Sequence, residues 1–180
     1  MAPSALLAIQ NTVIEFADVI SEVTGVNVDI MDRDYIRVAG SGFYAPRTGE
    51  SMRSRASIYE RVLEDARSIV VHNPGRDEIC RACANRHTCT ETIEIAAPIR
   101  LTGHVEGVIG LMAFTAHQRD MLLEKLDSYI HFVEQIADLI AKKAQENTQL
   151  QMIRNYTDTL TQILDSIDQC VLILTDDLHV

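Results

Sequence analysis

Cys80, Cys83 and Cys89 fall within ten residues in the spacing C-x2-C-x5-C, whereas Cys170 stands alone far along the chain. Such clustering, in a chain read as cytoplasmic, predicts metal binding or redox chemistry rather than structural disulfides. Two cysteines separated by two residues turn their sulfurs toward one centre, and a flexible connection of five brings in a third. Thiolates select zinc, copper(I) and iron–sulfur clusters over hard cations. His87 lies inside the loop, and with Cys80, Cys83 and Cys89 it would complete a tetrahedral structural zinc site. Alternatively the three cysteines hold an iron–sulfur cluster whose last iron is open or is bound by His72, Asp77 or Glu78. An open site of that kind suits sensing of oxygen, redox state or a small ligand. Two further readings stay open. One is a thiol–disulfide switch without metal, in which Arg81 and Arg86 favour the thiolates; the other is simple filling of space by small apolar side chains.

A second candidate is an anion pocket formed by Arg47, Arg53 and Arg55, with Ser51, Ser54 and Ser57, beside a short helix. Arginine is the better bidentate reader of carboxylate and phosphate, and every basic residue before Lys125 is an arginine. An exposed polar loop explains the same residues. Glu91 and Glu94 flank the start of a strand and read as solvated, and His104, His117 and His131 read as surface residues. The sequence has no nucleophile elbow, no phosphate-cradling glycine loop and no HExxH, so the expectation is that the chain is not an enzyme.

The elements that must position these residues follow from periodicity. Residues 4–24 place Leu6, Ile9, Val13, Phe16, Ile20 and Val23 three and four apart, which predicts an amphipathic helix stopped by Gly25. The next segment alternates with Val26, Val28 and Ile30 on one face, turns at Asp32–Asp34, and continues into YIRVAG, a hairpin. SGFYAPRTGE has turn chemistry. A short helix with Ile58, Val62 and Ala66 on one side precedes a strand that Pro74 stops. Residues 75–90 form a long loop, and two strands follow, joined by a tight Thr102–Gly103 turn.

From Ala116 the pattern is helical for about fifty residues, well beyond an average globular helix. Leu122, Leu126, Tyr129, Val133, Ile136 and Ile140 keep the coiled-coil rhythm. Lys143 and Asn147 interrupt it, and Leu150, Ile153, Thr157, Leu160, Leu164 and Ile167 resume it after one extra step of three, a stammer. The order predicts an α+β fold with helices segregated to one face of an antiparallel sheet. It also predicts a parallel homodimer through the long helix.

Length and charge narrow the class. The 180 residues suit one ordinary domain plus an attachment, and 47% hydrophobic content can fill a core. Net charge is −10. Residues 1–116 carry 11 basic and 15 acidic side chains and the remainder 5 and 11, so neither part has the basic footprint of a nucleic-acid binder. No apolar run approaches the roughly 18 residues of a membrane helix, and the N-terminus lacks the marks of a secretory signal. A cytoplasmic chain that binds neither nucleic acid nor membrane is expected.

PIRLTGHVEGVIGLMAFTAHQRDML resembles the final hairpin of a GAF-type sensory domain. The Cys loop before it resembles the N-terminal sensory domain of bacterial sigma-54-dependent transcriptional activators. TLTQILDSIDQCVLILTDDLHV resembles the helix and first strand that open a PAS domain, with Cys170 in place of the customary glycine. The resemblance implies a GAF/PAS-like antiparallel sheet flanked by helices, with a long C-terminal coiled-coil linker. Residues 1–116 would be the sensory domain, 117–168 the signalling helix and 169–180 the first PAS strand. Downstream PAS, AAA+ ATPase and DNA-binding domains of the same protein are implied as partners. Ala96 and Ala97 stand where some relatives carry a further cysteine, so a metal centre here needs a non-cysteine fourth ligand.

The expected function is signal input. A small-molecule effector, metal or redox change would shift the sheet against the long helix, which passes the shift downstream. The interruption at Lys143–Asn147 is where two registers would be close in energy. The rival expectation is a structural dimerisation module in which zinc only pins the loop.

Overall fold

A computed structural model describes residues 4–166. The expected PAS strand at 169–180 and Cys170 lie outside the described residues. The described residues divide into two compact units, 4–145 and 146–166.

In the first unit, helix α1 (Gln10–Thr24) ends where Gly25 takes a left-handed φ of +68° and its N–H donates to the Ser21 carbonyl. Glycine enters that conformation without a Cβ clash, so the expected stop is realised. Strands β1 (Asn27–Asp32) and β2 (Arg37–Gly40) form the predicted hairpin. Part of the segment read as turn winds into a 3-10 helix, Gly42–Arg47. Helix α2 (Ser57–Asp65) and strand β3 (Ile69–Val71) follow. The Cys loop contains two short 3-10 turns, Glu78–Cys80 and Arg86–Thr88. Strands β4 (Ile93–Leu101) and β5 (His104–Ala113) meet at Thr102 and Gly103, both with positive φ as a two-residue primed turn requires.

The five strands form one antiparallel sheet in the order β2-β1-β5-β4-β3. Because β5 pairs with β1 across some eighty residues of chain, Asp29 comes opposite Gly110, and Glu94 on β4 comes opposite Met112. Strand alternation then sorts the two faces. Val28, Ile30, Ile93, Ile95, Ile109 and Leu111 pack with Val13, Ala17 and Ile20 of α1. Met31, Ala96 and Val108 lie on the other face, with Tyr59 and Val62 of α2 and with Cys80. Full burial of each large apolar side chain stabilises by about 1.5–3 kcal/mol, so both faces contribute. Helices therefore cover both faces, a correction to the expected single-sided arrangement: the apolar side of the short helix, Ile58 and Val62, needed a sheet surface that α1 had not already taken.

The helical region after Ala116 is two helices, α3 (Ala116–Glu124) and α4 (Leu126–Asp165). Thr115 caps α3 in a reciprocal box, its hydroxyl accepting from the Gln118 N–H while the Gln118 side chain accepts from the Thr115 N–H. Leu122, Val133 and Ile140 of the predicted seam, with Ala137 and Ala144, bury against the sheet's own core, while Leu126, Tyr129 and Ile136 are half-buried beside it. The expected division at residues 116 and 117 thus separates the sheet from helices packed on it.

In the second unit the described part of α4 exposes Leu150, Ile153, Tyr156, Leu160 and Leu164. Among the described residues, no helix is long and apolar enough to cross a membrane.

Candidate ligand cavity under the cysteine loop

A cavity of about 600 Å³ lies between the α2-side face of the sheet and the Cys loop. Its floor follows from register and alternation: residues adjacent to buried Val28, Ile30, Ile93 and Ile95 must point to the opposite face, and these include Asp29 and Glu94. Arg37 of β2 and Met112 of β5 complete the floor. Tyr59 of α2 forms one wall, and the 3-10 segment brings Phe43 and Tyr44 to another. A Cβ at Gly110 would collide with the Tyr59 phenol, so the glycine lets that ring approach the sheet. Cys80, Cys83, Cys89 and Glu91 line the loop side.

The floor is polar and its charged side chains are buried. Arg37 donates from Nε to Asp29 Oδ1 at 2.7 Å and from Nη2 to Oδ2 at 3.0 Å, with both residues buried. The Arg37 guanidinium also lies 4.9 Å from the Tyr44 ring centroid. Burial pushes the Asp29 carboxyl up from its ordinary value, and the guanidinium fork opposes that push. The Tyr59 hydroxyl donates to the Asp29 backbone carbonyl at 3.3 Å. Glu91 ties two walls together, accepting from the Tyr44 hydroxyl on Oε1 and from the Cys89 thiol on Oε2 at 3.6 Å.

Burial, reinforced by the nearby carboxylates, holds the Tyr44 and Tyr59 hydroxyls well above the ordinary range for tyrosine. Glu94 is raised well above its usual value, first by burial and then by the like charges of Glu91 and Asp29. Burial also raises Cys80, and burial together with Glu91 pushes Cys89 up to about 12. Hydroxyl, thiol and carboxyl groups thus surround one internal ion pair, Asp29–Arg37, on the cavity floor.

The expected site residues separate. Cys80, Cys83 and Cys89 all face the cavity as free thiols, but His87 is exposed and does not line it. The Cys83 thiol donates to the Arg55 carbonyl at 3.6 Å, and Cys89 is turned to Glu91. Among the described residues no three His, Cys, Asp or Glu side chains converge as a metal-binding group. The arginines named as thiolate stabilisers are engaged elsewhere. Arg81 pairs with Glu78 on the surface, and Arg86 Nε donates to the Gly75 carbonyl.

Arg47 and Arg55 reach the cavity, Arg47 stacking over Phe43 at 4.4 Å and Arg55 donating to the Ser51 carbonyl. Arg53 lies over the Tyr35 ring at 4.7 Å and does not line the cavity. Glu94, read as solvated, is 5% exposed. That reading treated the α2 side of the sheet as open to water, whereas α2 and the loop cover it. Asp29, Arg37, Tyr44 and Tyr59 were not singled out in the sequence. For Asp29 and Arg37 the available signal was a charged residue inside each of two apolar alternations, NVDIMD and YIRVAG.

No family model matches the sequence. The chain is 28% identical over 174 residues to a protein of Escherichia coli provisionally assigned as the uric acid sigma-54-dependent transcriptional regulator UacR. The match covers 97% of this chain and spans only 29% of that relative's length. Among solved structures, residues 122 to 287 of a methyl-accepting chemotaxis protein align with a TM-score of 0.64 at 15% identity, covering 78% of this chain and 91% of that one. The GAF domain of A. aeolicus nlh2 in an inactive state aligns with a TM-score of 0.55 at 18% identity, covering 79% and 85%. The chain has a GAF-type fold and is similar, along nearly its whole length, to part of a sigma-54-dependent transcriptional regulator.

Proposed function

We propose that this chain is the signal-input region of a cytoplasmic sigma-54-dependent transcriptional regulator, and that the cavity under the Cys loop binds its effector. The observation that carries this reading is the cavity itself: its volume suits a small molecule, and its buried polar groups converge from four separate elements on one space. Flat walls from Tyr44, Tyr59 and Phe114 favour a planar ligand. Uric acid, named in the description of the similar regulator, is planar and of fitting size, and is the first candidate effector.

Transmission runs through α4. Leu150, Ile153, Thr157, Leu160 and Leu164 keep alternating steps of three and four, and the apolar members are exposed. A second copy of the same helix is the occupant such a stripe suits, giving a parallel coiled coil. The loop that roofs the cavity is tied to neighbouring segments by few bonds, among them Ala84 N–H to the Ser54 carbonyl. A ligand that bridges floor and loop would select one arrangement of the two.

The test is a thermal melt of the 180-residue chain with uric acid. At a hundredfold excess over its dissociation constant the ligand adds about 2.7 kcal/mol, a shift of roughly 5–10 °C. An unchanged melt at millimolar uric acid would remove this effector from the reading.

A further inference from the structure

Glu94 is a cavity carboxyl without a counter-ion, in side-chain hydrogen-bond contact with Glu91. It is 5% exposed, lies on the central part of the floor, and forms no ion pair among the described residues. The one buried guanidinium on the floor, Arg37, is committed to Asp29 through both arms of its fork. Arg47, Arg55 and Arg86 lie at the rim, stacked on Phe43 or bonded to backbone carbonyls. A buried carboxyl without a counter-ion, flanked by further carboxyls, is uncharged. Once a ligand takes the place of Glu91, Glu94 offers an O–H donor and a C=O acceptor side by side in one plane.

Resting on the proposal that the cavity binds the effector, we propose that Glu94 reads it: its carboxylic acid pairs, as donor and acceptor at once, with the adjacent N–H and C=O of a planar lactam or ureide heterocycle. The two hydrogen bonds close a ring, which fixes the ligand's rotation in the plane. The aromatic walls stack on its faces, and the rim arginines offset any charge on its far edge. A ligand lacking the N–H displaces Glu91 without replacing its hydrogen bond to the buried acid. A buried group left unsatisfied costs about 1–3 kcal/mol, which is where the discrimination arises.

The experiment is calorimetric titration of the 180-residue chain, as wild type, Glu94→Gln and Glu94→Met, with uric acid and with its fully N-methylated form. The amide of glutamine keeps one donor and one acceptor in the same place, so Glu94→Gln should bind uric acid within about threefold of wild type, whereas Glu94→Met should bind roughly 30-fold more weakly. The fully methylated compound should bind wild type more weakly by a similar factor, an arm that does not depend on how a variant folds. Equal affinity of all three proteins for uric acid would overturn the role of Glu94 while leaving the cavity as the effector site. Equal loss in Gln and Met would overturn the paired acid in favour of a charged acceptor. Undiminished binding of the methylated compound would overturn the lactam class. Absence of any uric acid binding by wild type would overturn this inference and the proposed effector together.

Discussion

Arg37 grips both carboxylate oxygens of Asp29, at 2.7 and 3.0 Å, from the strand next to it in the sheet, and both side chains are buried. This pair spans β1 and β2 at the cavity floor and holds the guanidinium under the Tyr44 ring. Removing one partner leaves the other charge buried. Arg37→Ala should therefore cost about 3–5 kcal/mol in urea unfolding, and the double change Asp29→Leu with Arg37→Met should recover most of that loss. Single changes costing under about 1 kcal/mol would mean that water reaches the floor.

Glu94 sets a pH signature. The unfolded chain releases this proton near the ordinary value of 4.5, while the folded chain retains it to higher pH. In that window the folded state binds more protons, so the contribution is complete below the unfolded pKa and is lost as pH rises through the folded one. Glu94→Gln removes the titration. The variant should gain stability relative to wild type as pH goes from about 5 to about 8, followed by urea unfolding at each pH. A constant difference would show that Glu94 ionises normally in the folded chain.

Cys89 should be a poor nucleophile. With its pKa pushed up to about 12, on the order of one thiol in ten thousand is ionised at pH 8. Alkylation by iodoacetamide, followed by mass spectrometry, should run at least about a hundredfold slower at Cys89 in the folded chain than in the urea-unfolded one. Replacing Glu91 by Gln removes the nearest negative charge and should speed it. Rapid labelling of Cys89 in the folded wild type would instead favour a thiol switch in the loop.

The exposed stripe on α4 gives an assembly prediction. Leu160, 60% exposed, lies at a seam position of the proposed coiled coil. Light scattering should give twice the chain mass for the wild type, and Leu160→Asp should be monomeric at the same concentration, since it places a charge in an apolar seam at a cost of several kcal/mol. The sheet core should melt as before, because residues 146–166 contribute nothing to it. A wild type that is monomeric at high micromolar concentration would remove the dimer from the account.

Local order was legible in the sequence where one physical pattern dominated. The Val26, Val28 and Ile30 alternation, the Gly25 stop and the Thr102–Gly103 turn are each set by residues near one another in the chain. The three cysteines marked in the loop line one cavity. What escaped was long-range. Asp29 and Glu94 look like the wet side of a two-layer sheet until α2 and the loop are placed over them. Likewise, Leu122 through Ile140 carry the same heptad spacing whether they face a second copy or their own sheet. Periodicity states that a face is buried, but not by what.

Hydrogen–deuterium exchange of the chain with and without saturating uric acid tests the central claim most directly, since it locates the ligand and follows its effect at once. The account predicts slower exchange in residues 42–59 and 74–94, which form the cavity's walls, roof and floor, together with altered exchange in residues 146–166 of α4. Protection confined to other parts of the chain, or none where calorimetry shows binding, would contradict it.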